Sequence, residues 1–247
     1  YYYSVLQSQE GAAVQAYLDK RRIRRGIAVR FGMGAAPDSW DALLTAMTHK
    51  GYTKQELISA GLAVNGKNGR LYDKFRNRLM LPVIDVRGDV VGFGSRVLDK
   101  SEPKYMNTPE TLTYSKRRIL YGMNLAKKSK RSNIILCEGN LDVVTLHQAG
   151  FDNAVASMGT ALTQEQLRLL SRYTKELVLC YDNDNAGQQA TRRALELLNN
   201  SEFSVKVLQL PRRLVDGEYI KQDADDFIKF QGPVSYTHLT LPTNSLV

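Results

Sequence analysis

From residue 133 onward the chain keeps one rhythm. The apolar, strand-type runs "NIILC", "NAVAS", "ELVLCY" and "SVKVLQL" alternate with "NLDVVTLHQAG", "TQEQLRLLSRY" and "AGQQATRRALELLNN", each of which carries helical spacing. A helix between two strands returns the chain to the same end of the sheet, so neighbouring strands run parallel. The pattern therefore predicts βαβ units and a doubly wound, mainly parallel sheet. Local signals set the helix limits. Thr163 and Gln166 have capping-box spacing, and Ala190, Ala194, Leu197 and Leu198 share one face of the last helix.

Ligands of such sheets gather at the carboxyl ends of the strands. There the sequence places acids. "IILCEGNLD" puts Glu138 just past one strand, with Asp142 one helical turn further on. "LVLCYDNDNAG" puts Asp182 and Asp184 past another, and "QDADDFI" supplies Asp223, Asp225 and Asp226 after the last. Read singly, Asp184 is a routine helix N-cap, Glu138 a solvated strand end and Asp226 an ordinary first-turn charge. Gathered on one edge they repel unless a cation neutralises them, which favours a metal site. Oxygen donors without His or Cys select Mg²⁺ or Mn²⁺. Two such ions about 4 Å apart clamp the attacking and leaving oxygens of a phosphoryl displacement.

Charge is split along the chain. Residues 1–131 hold 24 Lys and Arg against 11 Asp and Glu, a net of +13, while residues 132–247 hold 10 against 14, a net of −4. A basic first part points to a polyanionic partner. It reads as a helix over 10–20, the basic knot "RRIRR", a helix in "PDSWDALLTAMTHKG" entered at Pro37 and Asp38, and a short helix capped by Thr53 and Glu56. Trp40, Leu43, Leu44 and Met47 have core-facing helical spacing. Residues 71–98 follow as strands, with a hairpin turn at Gly88-Asp89. "AKKSKRS" reads as a linker, which places a domain boundary near 131. Residues 233–247 carry no Lys, Arg, Asp or Glu and no clear period, and are set aside as a disordered or artefactual tail. Cys137 and Cys180 each close a strand-type run and read as core thiols of a reducing compartment. No apolar run approaches the ~20 residues of a membrane span, no secretory leader is evident, and a cytoplasmic location is expected. The chain begins with Tyr and is read as a fragment.

The strings "CEGNLDVV" and "CYDNDNAG" resemble the Toprim domain of primases, type IA and type II topoisomerases and some nucleases. Further strings, "RFGMGAAPDSWDALL", "GRLYDKFRNRLMLPVIDVRGDVVGFGSRVL", "PKYMNTPET", "LYGMNLA" and "AVASMGTALT", resemble the RNA polymerase core of bacterial DnaG-type primases over about residues 10–232, in the same order. The resemblance implies a basic mixed α/β lobe (1–131) followed by a Toprim lobe (132–232). It implies that Glu138 is the catalytic glutamate position and that Asp182 and Asp184 bind metal. Asp223 and Asp225, in "DAD" where the family often has "DPD", complete the metal set, and Asp142 supports the glutamate loop. Arg76, Arg78, Arg96, Lys104, Asn107 and Lys116 match positions that grip nucleic acid and nucleotide. Tyr72, Phe75 and Tyr105, which lie among these cations, read as core rather than as base-stacking residues.

The implied activity is synthesis of short RNA primers on single-stranded DNA from ribonucleoside triphosphates. It uses two or more Mg²⁺ or Mn²⁺ ions and no zinc in this segment. Partners implied by the family are the template, the RNA primer, and the replicative helicase and single-strand-binding protein, which are reached through domains outside this sequence. Two rivals stand beside this reading. One is another Toprim enzyme, a topoisomerase or nuclease. The other is a non-catalytic fragment that binds single-stranded nucleic acid.

Overall fold

The computed structural model of the chain describes residues 1–208, 213–215, 218–220, 224, 227–228 and 240–242. Two compact units divide it: Tyr1–Ile84 with Asp89–Ser115, and Asp85–Gly88 with Lys116–Val247. The division falls between Ser115 and Lys116, whereas composition alone puts a boundary near 131. The reason is strand pairing: residues 120–121 hydrogen-bond into the second sheet, so a basic segment that resembles the first unit in composition packs with the second.

The first unit opens with α1 (Tyr2–Leu6), a 3-10 turn at Gln9–Gly11, α2 (Ala12–Lys20) and α3 (Arg25–Arg30), then β1 (Gly34–Ala36). Next come α4 (Ala42–His49), α5 (Lys54–Ser59), the two-stranded ribbon of β2 (Ala63–Asn65) and β3 (Leu71–Asp73), then β4 (Arg78–Ile84), β5 (Val90–Val97) and β6 (Tyr105–Asn107). Strands β1-β4-β5-β6 form an antiparallel sheet in that order. The predicted hairpin is β4–β5. Its turn is stabilised by Asp85, whose Oδ1 accepts from the amides of Arg87 and Gly88, while Gly88 takes φ 107°, a region that favours glycine. Pro82 sits in this otherwise central strand without cost. β1 pairs only with Arg78 to Met80, so no ladder partner on that side calls for the missing amide.

The predicted capping box of Thr53 and Glu56 forms on α5. α4 starts later than the sequence suggests, at Ala42 rather than near Pro37. Asp41 at its N-cap makes no side-chain cap bond. The exposed amides are taken instead by Asp73, 1% exposed, whose carboxylate accepts from Leu43 N at 2.7 Å and Leu44 N at 2.9 Å. An acid from β3 thus supplies what a local cap normally supplies. Trp40 is left outside the helix and 61% exposed, so it is not the core residue its spacing predicted, whereas Leu43 is buried and Met47 packs against the core.

The second unit contains β7 (Leu120–Tyr121), α6 (Met123–Ala126), β8 (Asn133–Cys137), α7 (Asn140–Gln148), β9 (Ala154–Ser157), α8 (Gln164–Leu170), β10 (Glu176–Cys180), α9 (Asn185–Leu198) and β11 (Ser204–Leu208). Beyond them lie β12 (Arg213–Val215), β13 (Glu218–Ile220) and β14 (Thr240–Pro242), the last from the stretch set aside as a tail. The sheet runs β14-β11-β10-β8-β9-β7. Its four central strands are parallel and its edges antiparallel, as the βαβ rhythm predicts.

Ile134, Leu136, Val155, Leu177 and Leu179 form the buried centre of this sheet, packed with Leu167 and Leu170 of α8 and Ala194 and Leu198 of α9. Gln166 completes the predicted box with Thr163. Its buried amide also donates to the carbonyls of Lys116 and Ile119, tying the incoming chain to this unit. Among the described residues no helix is long and apolar enough to cross a membrane.

Candidate metal centre and basic face

In the second unit β8 and β10 are parallel neighbours with Cys137 directly opposite Cys180. Whatever follows those cysteines therefore emerges side by side at the carboxyl edge of the sheet. Glu138 follows one, and Tyr181 and Asp182 follow the other. The geometry brings them into contact, with Asp182 N donating to Glu138 Oε1 at 3.3 Å. Asp184 caps α9, and its Oδ1 accepts from Gly187 N at 2.8 Å. The plain N-cap role thus holds, and it anchors the second aspartate of the pair next to the first.

Gly187 is a site residue that sequence reading passed over. A Cβ there would stand 2.0 Å from the Asp182 carbonyl oxygen and 2.8 Å from Glu138 Oε1. The first turn of α9 presses against both acids only because this residue has no side chain. Its spacing three residues after Asp184 was the available signal. Asp142, nearly buried, turns back so that Oδ2 accepts from Gly139 N at 3.1 Å, closing the loop that carries Glu138.

Directly beneath lie the two thiols, both buried and unoxidised. The hydrogen bond between the Cys137 S–H and the Cys180 sulfur, and then burial, push the Cys137 thiol well above its ordinary range. Both thiols are enclosed within the sheet rather than presented at its edge. His147 is spent on the carbonyl of Ala154. The donors left at this edge are hard carboxylate oxygens, a set that fits Mg²⁺ or Mn²⁺. Among the described residues no three His, Cys, Asp or Glu side chains converge closely enough to hold an ion by themselves. Asp223 and Asp225 lie outside the described residues.

The first unit gathers cations and aromatic rings. The Arg76 guanidinium lies 4.3 Å from the Trp40 ring centre and 5.1 Å from that of Tyr72, and it also donates to the Asp73 carbonyl. The two rings meet edge-on at 5.3 Å. Arg96 donates to Tyr105 Oη at 2.8 Å, and Lys104 Nζ is 5.7 Å from the Tyr105 ring centre. Asn107 sits in β6 opposite Gly94. Arg78 differs from the others. It is 5% exposed, burial lowers its pKa, and Nη2 donates to the Pro103 carbonyl at 2.9 Å. The structure makes it a brace under the loop that carries Lys104 rather than a cation open to solvent. Lys116 belongs to the second unit, half-buried, with its carbonyl held by Gln166.

Of the three aromatics read as core, Phe75 is buried, Tyr72 is half-buried and Tyr105 is 49% exposed between Arg96 and Lys104. Alternation along β6 did not reveal this, because a short edge strand has too few residues to define a face.

The family model described as DNA primase catalytic core, N-terminal domain, matches residues 1–127, and the one described as Toprim-like matches residues 135–228. A DNA primase of Clostridium acetobutylicum is 44% identical over 248 residues, an alignment covering 100% of this chain and 40% of that protein. The chain thus spans well under half the length of such relatives. A solved DnaG primase catalytic domain bound to single-stranded DNA superposes with a TM-score of 0.85 at 36% identity, covering 98% of this chain and 78% of that one. The RNA polymerase domain of Mycobacterium tuberculosis DnaG does so with a TM-score of 0.85 at 36% identity, covering 98% and 80%. With the first family model over half of its length and a mostly parallel, acid-edged sheet over the rest, the chain belongs to the DNA primase catalytic core family.

Proposed function

We propose that this chain polymerises ribonucleotides into short RNA primers on a single-stranded DNA template. One observation carries the reading: two adjacent parallel strands deliver Glu138 and the Asp182–Asp184 pair to one sheet edge, with Glu138 Oε1 3.3 Å from Asp182 N. Glu138, Asp182 and Asp184 would hold Mg²⁺ or Mn²⁺, with Asp223 and Asp225 completing the set. Mg²⁺ takes one or two protein carboxylates and leaves its other positions to water and substrate phosphates, which accords with a site of few converging side chains. When bound, the ions supply neutralisation of charge on the triphosphate and on the attacking oxygen.

The chain's own residues do the positioning. Gly139 and Asp142 fix the glutamate loop, and the Asp184 cap fixes the aspartate loop. Glu138 serves either at the ion or as the acceptor of the 3′-hydroxyl proton. Arg76, Arg96, Lys104, Asn107 and Lys116 would contact template and triphosphate phosphates, with Arg78 bracing the Lys104 loop. Contacts of this kind are sensitive to salt and largely indifferent to sequence. The solved relative that carries single-stranded DNA supports the choice of template.

The test is primer synthesis from labelled ribonucleotides on single-stranded DNA, with the native chain beside Asp182→Asn. RNA made by the native chain and lost in a folded Asp182→Asn supports the reading. Equal synthesis by both refutes the metal assignment. Salt-dependent DNA binding without synthesis by either favours a binding module.

A further inference from the structure

Tyr17 has no place in the reading above, yet two arginines converge on it. It lies on α2, one turn before Arg21. Arg21 Nε donates to Tyr17 Oη at 3.0 Å, and its guanidinium carbon is 5.7 Å from the ring centre. Arg96, from β5, places its guanidinium carbon 5.3 Å from the same ring. That same guanidinium carbon is also 5.3 Å from the Tyr105 ring, and its Nη1 donates to the Tyr105 hydroxyl. Lys104 Nζ also lies over the Tyr105 ring, 5.7 Å from its centre. Cations and phenols therefore alternate along a chain of contacts, Arg21–Tyr17–Arg96–Tyr105–Lys104.

Like charges drawn together in this way repel, and a polyanion laid along them relieves the repulsion. A guanidinium held against a phenol has already given up its rotamer freedom, so less is lost when a phosphate binds. We propose that Tyr17 is a positioning residue for nucleic-acid binding: its ring and hydroxyl hold Arg96 and Arg21 in register as pre-ordered phosphate contacts. This rests on the reading of the basic face as the template track. Tyr17 itself need not touch the strand. Its aromatic face orients Arg96, and its hydroxyl orients Arg21.

The experiment measures binding of the full chain to a labelled deoxythymidine oligomer of about 16 nucleotides over a range of salt. It compares native, Tyr17→Leu, Tyr17→Phe, Arg96→Ala and the Tyr17→Leu/Arg96→Ala double variant, each checked by thermal melting. Tyr17→Leu is expected to weaken binding about tenfold and to lower the salt slope by about one. Tyr17→Phe, which keeps the ring, recovers part of the loss. In the Arg96→Ala background the further loss from Tyr17→Leu falls well below its effect alone, because the two act together. A merely structural tyrosine leaves the slope unchanged and costs the same in either background, and that result overturns the proposal. So does native affinity in Tyr17→Leu when Arg96→Ala binds weakly. If Arg96→Ala binds as the native chain does, the template-track reading falls first and the role of Tyr17 falls with it.

Discussion

Replacing Gly187 by Ala adds one methyl group at the point where α9 meets both acid-bearing loops. The added carbon would stand 2.0 Å from the Asp182 carbonyl oxygen, 2.8 Å from its carbonyl carbon and 2.8 Å from Glu138 Oε1. Comfortable carbon contacts begin near ~3.5 Å, so the Asp182 loop must retreat by more than about 1 Å. Because the added carbon meets both partners of the 3.3 Å link between Asp182 N and Glu138 Oε1, that link is disturbed. Misplacement of reacting groups by about 1 Å costs on the order of 100-fold in rate. The stability cost is smaller. Overpacking removes about 1–3 kcal/mol, and the better helix propensity of Ala returns up to about 1 kcal/mol. A drop of only a few degrees in melting temperature is expected. The assay is primer synthesis beside melting and single-strand binding, with Gly26→Ala as the control, since a Cβ at Gly26 meets nothing within 4 Å. Gly187→Ala should lose synthesis about 100-fold and keep its DNA affinity. Synthesis within about threefold of native would refute the idea that this glycine sets the spacing of the acids.

Four further expectations come from the same structure. Asp73→Ala strips two amides of α4 of their acceptor at 2.7 and 2.9 Å, which at about 1–2 kcal/mol each gives about 2–4 kcal/mol of lost stability in urea unfolding. Burial raises the pKa of Asp73 above 3.8, so the folded state holds its proton more tightly than the unfolded state does. Its contribution is therefore greatest at low pH and declines as pH rises from about 4 through the raised value; subtracting the Asp73→Asn profile should isolate that slope, and parallel profiles would exclude it. Tyr105→Ala should weaken single-strand binding by about 1–3 kcal/mol with little change in melting, whereas Phe75→Ala, at a buried ring, should cost about 3–5 kcal/mol of stability. Finally, Cys137 and Cys180 are buried free thiols, so a thiol reagent should label neither quickly in the native chain and both after denaturation; rapid native labelling would contradict their placement.

The parallel sheet and its acidic edge were legible in the sequence because their causes are local. A βαβ rhythm leaves little freedom in strand direction, so Glu138 and Asp182 had to emerge at the same edge once β8 and β10 were recognised as strands. That those two strands are neighbours, with Cys137 opposite Cys180, was decided by sheet order, which is a tertiary matter. The boxes at Thr53 and Thr163 were readable for the same reason: donor and acceptor are three residues apart.

Where distant groups compete, local spacing misleads. The start of α4 is set by Asp73, thirty residues beyond Leu43, and that choice leaves Trp40 outside the helix. Charge identity marks Arg76, Arg78 and Arg96 alike, yet packing buries Arg78, sets Arg76 against Trp40 and lays Arg96 across Tyr17. Part of what places Arg76 is local, at Tyr72 and Asp73, but Trp40, Pro103 and Tyr17, which settle the three fates, each lie more than twenty residues away in sequence from the arginine they meet. Periodicity and capping act over one helical turn and belong to the sequence itself. The burial of a cation, the closeness of Gly187 to two acids and the meeting of Tyr17 with Arg96 arise only when separated segments exclude water from one another, and that happens only in the folded chain.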